Sequence, residues 1–183
     1  MRFLGILIVA LFMLSGCETL QVDQYSASQQ NIAAIRNAMI KAGIDTLAVG
    51  EFTSAYPNPF ESRCDFNSLV RIPHNIPPEK YIRNALINEL KDTGVYSLDQ
   101  IEAGRVITAH LDRFLLDNDN GKWLIVITVS LNTGDVYTVT ETYEFDVITC
   151  ERAASSLMPA IQDLIYKIVT HPAFQRRIDN PAG

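Results

Sequence analysis

Three cysteines and three histidines are the side chains in this 183-residue sequence best suited to metal or nucleophilic chemistry. Their spacing argues against both uses. His74, His110 and His171 stand alone, without the H-x-H or H-x-x-x-H spacing that brings two imidazoles to one ion. Neither Cys64 nor Cys150 has a neighbouring histidine to hold it as a thiolate. Asp117-Asn118-Asp119-Asn120-Gly121 begins like a calcium loop, but Gly121 stands at the fifth ligand position and Thr128 where a bidentate Glu belongs. That run reads as a hairpin turn. No G-x-S-x-G elbow and no glycine-rich loop leading into a helix occur. Glu141 and Glu144 form a carboxylate pair on an expected strand and read as solvated surface. The sequence therefore predicts a protein that is not an enzyme, with no catalytic set, no metal and no cofactor. An envelope hydrolase with carboxylates from distant positions stays as a third reading, because glycosidase-type acids leave no local signature.

Cys17 carries the clearest chemistry. Met1 and Arg2 precede an uncharged apolar run, Phe3 to Leu14, with the length of a signal-peptide core and too short to span a bilayer well. It ends in Leu14-Ser15-Gly16-Cys17, which resembles the bacterial lipobox, where the cysteine takes a diacylglycerol and becomes the new N-terminus. The expectation is a signal peptide over 1–16 and a lasting acyl anchor on Cys17, since each buried methylene contributes about 0.8 kcal/mol. Glu18 rather than Asp follows the cysteine, which implies the outer membrane over the inner one. With Cys17 spent on lipid, Cys64 and Cys150 remain in an oxidising compartment. One Cys64–Cys150 disulfide is expected, with two buried thiols as the alternative.

The elements that would position these groups follow from pattern. Residues 17–25 read as a lipidated tether, reaching about 25 Å at ~3.3 Å per extended residue. Residues 26–178 read as one domain and 179–183 as a disordered tail. Ser26 to Lys41 has helical spacing through Ile32, Ile35, Met39 and Ile40, closed by Gly43. Thr46 to Thr53 reads as a strand, Ser54 to Asp65 as irregular, and Asn67 to Ile72 as an optional short strand. Pro77-Pro78 opens a helix to Asp92 with a stripe of Ile82, Ala85, Leu86 and Leu90. Three strands follow, Arg105 to Leu116, Lys122 to Leu131 and Asp135 to Ile148. The last presents Tyr137, Val139, Tyr143, Phe145 and Val147 on one face. A final helix covers about Ala153 to Thr170, with Pro159 either kinking it or marking its first turn under a Ser155 or Ser156 cap. The order α-β-(β)-α-β-β-β-α predicts an α+β fold, two layers, with helices on one face of a mostly antiparallel sheet. Thr128, Ser130, Thr133, Thr138, Thr140 and Thr142 give the meander a hydroxyl-rich face, read first as solvent-facing and second as a surface for strand addition. The net charge of −6 argues against nucleic-acid binding.

Leu47 to Phe52, then Cys64, then Tyr81 to Leu90 with Gly94 and Tyr96, resemble small proteobacterial lipoproteins. The layout is similar to envelope-assembly lipoproteins: the TolB N-terminal-like domain, curli-secretion lipoproteins and auxiliary lipoproteins of envelope transport systems. The resemblance implies a non-catalytic accessory or assembly component of an envelope export, transport or surface-structure system, facing the periplasm. Its partners would be the membrane, through acyl chains on Cys17, and another envelope protein. The second reading is a lipoprotein that binds a lipid or small apolar ligand between helix and sheet.

Overall fold

A computed structural model describes residues 18–56, 60–64, 68–99 and 104–176. The signal peptide, Cys17 and the 179–183 tail of the sequence reading lie outside those residues. The chain is an α+β fold with two sheets, where one was expected. In the larger sheet β5 (Arg105–Asp117), β6 (Lys122–Leu131) and β7 (Val136–Glu144) form an antiparallel meander. β2 (Leu47–Ser54) adds to β5 in parallel, giving the order β2-β5-β6-β7. β6 alternates strictly between the two faces, with Trp123, Ile125, Ile127, Val129 and Leu131 buried. Period-2 patterning of this kind fixes register, since a one-residue slip would turn every apolar side chain to water.

The second sheet is small and has the order β1-β4-β3. β1 (Glu18–Gln21) runs parallel to β4 (Ser68–Arg71), and β3 (Glu61–Arg63) pairs antiparallel with β4. The segment expected to be a loose tether is thus a strand. Its partner lies far along the chain, so no local pattern announces it. The Val22 amide continues the pairing to the Arg71 carbonyl at 2.9 Å. β3 fell within the stretch read as irregular, and the optional strand belongs to this sheet rather than the main one.

Three main helices complete the fold. α1 (Gln29–Ala42) and α2 (Pro78–Thr93) each end on a left-handed glycine, Gly43 and Gly94. The α2 stripe of Ile82, Ala85, Leu86 and Leu90 is fully buried, as expected. The α1 stripe is rotated from expectation: Ala38 and Ala42 face inward, while Ile40 is 78% exposed. The buried arc of α1 runs through Ile35, Ala38, Met39 and Ala42, and at about 100° per residue Ile40 falls outside it. α3 (Cys150–Thr170) begins earlier than expected. The Thr149 side chain caps it, accepting from the Arg152 amide at 3.2 Å. Pro159 is interior rather than first-turn, and the Ser155 position it deprives of a hydrogen bond is on the exposed side.

α2 lies across β2 and β5, and α3 across β6 and β7; α1 packs on both helices, and the small sheet packs on α3. One hydrophobic cluster runs through all of them. Trp123 sits in it without exposure, donating its indole N–H to the Ala153 carbonyl at 3.0 Å. Phe60 and Phe114 pack beside it and meet each other edge to face, their ring centroids 4.7 Å apart. α4 (Pro172–Gln175) folds back so that Phe174 is fully buried. The buried Arg105 holds that turn, donating to the Phe174 carbonyl and, at 2.9 Å, to the Arg176 carbonyl.

Candidate functional site

An opening among the described residues runs along α2. Its construction starts with Glu89, buried on the inner side of that helix. One Glu89 carboxylate oxygen accepts from the Tyr25 hydroxyl at 2.5 Å, the Ser28 amide at 3.0 Å and the Asn31 side chain at 3.0 Å. Ser28 is the N-cap of α1 and makes no side-chain cap of its own. Glu89 therefore caps α1 from another helix, with a negative charge at the positive end of the helix dipole. Tyr81 donates to the Asp23 carbonyl at 3.0 Å. These bonds pin residues 23–28 against α2. Burial, reinforced by Glu89, raises the Tyr25 phenol, and burial raises Tyr81. Both stay neutral near neutral pH and are unsuited to act as bases.

Beyond this pinned segment the groove has a cavity volume of about 410 Å³, within the range of small-ligand sites. Tyr25, Ile76, Tyr81, Ala85 and Ile87 supply apolar wall; Asn84 and Asn88 present side-chain amides. Leu98, 86% exposed, stands at its rim. Lys91 lies over the Tyr96 ring at 5.6 Å, which leaves a cation at one end. His74 and Asn75 stand in the wall-forming turn with φ of 58° and 52°. Left-handed backbone at two successive non-glycine residues costs energy, a pattern that clusters at binding sites.

A second hollow of about 380 Å³ continues the groove, sharing Ile76 and Asn84 with the first. It opens over an irregularity in β2, where Gly50 and Glu51 interrupt the register with β5. Arg83 spans this bulge, donating to the Gly50 carbonyl at 2.7 Å and the Val49 carbonyl at 3.1 Å. Nearby, Leu47 pairs with the segment around Tyr96. The outer edge of β2 is thereby covered at Leu47, and Arg83 occupies the next carbonyls at Val49 and Gly50. The groove holds amides, tyrosine rings, a lysine and apolar wall. That set can bind an extended chain or a small amphipathic molecule.

The outer face of the large sheet is a further open surface. Thr53, His110, Thr128 and Thr138 stand opposite one another across all four strands. Thr53 and His110 Nδ1 are 2.8 Å apart. Thr128 donates its single proton to Asp112 at 2.8 Å and so accepts from Thr138 at 3.1 Å. The hydroxyls expected to face solvent lie on this partly or fully exposed side, and Thr128 and Thr138 bond to each other. Sequence reading set His110 apart as isolated; only the pairing of β2 with β5 gives it Thr53 as a neighbour.

Cys17 lies outside the described residues. Cys64 follows β3 half-buried, and Cys150 opens α3 buried. Asp117 closes the β5–β6 turn. It accepts from the Asn120 amides at 3.2 and 2.9 Å, and Asn120 foremost, then Lys122, hold it below the usual carboxylate range. Glu141 corrects the expectation of a solvated pair. Residues three apart on a strand point to opposite faces. Glu144 is exposed, whereas Glu141 is 3% exposed under α3, 3.0 Å from Lys167. Burial raises its carboxyl above the usual range, against the pull of Lys167.

The fold is a small α+β domain with a groove along α2 and an uncovered face on the larger sheet. No family model matches the chain, and no curated protein matches it. Two solved structures share the fold. One is the crystal structure of protein XCC0632 from Xanthomonas campestris, of the family DUF330, with TM-score 0.56 and 11% identity over 82% of this chain and 92% of that one. The other is an uncharacterised protein with TM-score 0.50 and 12% identity, over 83% of this chain and 97% of that one. Neither name supports the particular envelope-assembly families that the sequence layout resembles.

Proposed function

We propose that this chain is a lipid-anchored envelope protein, facing the periplasm, that works by holding another molecule rather than by catalysis. It would serve as an accessory or assembly component of an export, transport or surface-structure system, at the outer membrane in preference to the inner. The observation that carries this reading is the α2 groove: an amide-lined trough with tyrosine walls, an exposed leucine at its rim and a lysine at one end. Strained backbone at His74 and Asn75, retained in the wall, supports a binding role. The anchor rests on Leu14-Ser15-Gly16-Cys17.

A photo-crosslinking residue placed at Leu98 or Asn88 in intact cells tests the groove. Capture of one envelope protein from both positions, lost when Tyr96 is replaced by Ala, is the expected outcome. Crosslinks to solvent alone from both would overturn it. Capture of lipid would favour the second reading, a carrier of a small apolar ligand, which the cavity volume could hold. Acylation is tested separately: a labelled fatty acid should enter the wild-type chain and not the Cys17→Ser variant.

A further inference from the structure

The described chain begins at Glu18, already inside a strand. Glu18 pairs with Ser68, and the Ser68 carbonyl accepts from the Cys64 amide at 3.1 Å. The neighbouring Arg63 carbonyl accepts from Asn118 at 3.0 Å, in the turn between β5 and β6. Gly121 closes that turn, and its carbonyl accepts from the Phe145 amide at 2.8 Å. At Gly121 φ is +60°, and a Cβ there would meet the Phe145 carbonyl at 3.0 Å and Ile148 Cγ1 at 3.1 Å. Only a glycine lets the 145–149 loop fold so close. A short series of single contacts thus leads from the first described residue to this loop, all at one end of the molecule.

The loop presents Val147 and Ile148 to solvent, 59% and 57% exposed, side by side at its tip. Leu115, 47% exposed, lies on the sheet face two residues before the end of β5. The groove lies elsewhere. His74, Ile76 and Gln24 of its wall follow the far ends of β4 and β1.

We propose that this end of the domain, through Val147 and Ile148, is a second membrane contact beside the acyl anchor. The proposal rests on the reading of Cys17 as lipidated. Consecutive Cα atoms are about 3.8 Å apart, so an acylated Cys17 puts the start of β1 at the lipid surface. The occupant is then the bilayer that already holds the chain. Asp119, Asp146 and Glu151 flank the loop. The contact is therefore apolar rather than electrostatic, and it needs no anionic lipid. A shallow insertion of about 5–10 Å would reach the loop tip. It would not reach Val136, at the other end of the roughly 30 Å spanned by β6.

The test uses the full mature chain in vesicles of zwitterionic phosphatidylethanolamine and phosphatidylcholine, with bromine on the acyl chains. Trp123 is the only native tryptophan and is fully buried, so it sets the baseline and reports folding. Ile148→Trp should lose most of its added fluorescence to the bromolipid, while Val136→Trp keeps its own. Adding anionic lipid should change neither. An acylated chain that floats with the vesicles but leaves Ile148→Trp unquenched overturns the second contact alone. So does equal quenching at both positions. A mature chain that, isolated from cells, carries no acyl group on Cys17 and stays out of the vesicle layer overturns the anchor and the contact together.

Discussion

Glu89 brings three donors from residues 25, 28 and 31 to one buried oxygen. Glu89→Ala would leave the Tyr25 hydroxyl and the Ser28 amide without this acceptor and the Asn31 amide with the Gln162 carbonyl alone, a cost of about 3 kcal/mol. Tyr25→Phe removes one donor only and should cost about 1 kcal/mol; urea denaturation midpoints of the two variants check the ranking. Glu141 makes a pH-dependent prediction. Its folded carboxyl is raised, so the folded state binds the proton more tightly than the unfolded one. Stability should therefore fall as pH climbs from the ordinary carboxylate value through the raised one. Glu141→Gln should flatten that slope, read from melting temperatures across the same range. Neither residue was legible as buried. Glu89 belongs to a helix whose apolar stripe is complete without it, and Glu141 was grouped with Glu144 by nearness in sequence rather than by strand parity.

Elements with strong internal periodicity were legible. β6 has the expected bounds, and the α2 stripe is buried as read. Those that depend on distant partners were not. β1 and β3 are four and three residues long and gain their pairing only from β4. The start of α3 was read at about Ala153, whereas Thr149 holds the true cap and the helix opens at Cys150. Pro159→Ala restores a helix N–H and should stabilise the protein by about 1–3 kcal/mol, measurable in urea. Arg83 clamps the β2 bulge through two carbonyls. Arg83→Ala should cost about 1–2 kcal/mol and expose that strand edge. Arg83→Lys should not restore it, because an ammonium lacks the fork that spans both oxygens. Light scattering on heating would report the opened edge.

At the scale of the molecule, the α+β class was readable from the order of the elements, whereas the division into two sheets was not. The small sheet, the β5–β6 turn and the start of α3 share one end, which brings the segments carrying Cys64 and Cys150 to the same part of the fold. A Cys64–Cys150 bond would close a long loop, worth roughly 4–5 kcal/mol in the chain-entropy account. Protein denatured without reductant should then take up no thiol reagent at either residue, and take it up at both after reduction. Labelling at both before reduction would rule the bond out.

The parallel pairing of β1 with β4 also decides how the fold bears load. Tension drawn along the chain from the residue before Glu18 acts along the axis of β1. The four registered positions from Glu18 to Gln21 are then loaded together, in shear, rather than peeled one after another. With Val22 bonded to Arg71 behind them and Tyr25 bonded to Glu89 further on, a pull on the N-terminus must break several contacts at once before the groove is disturbed.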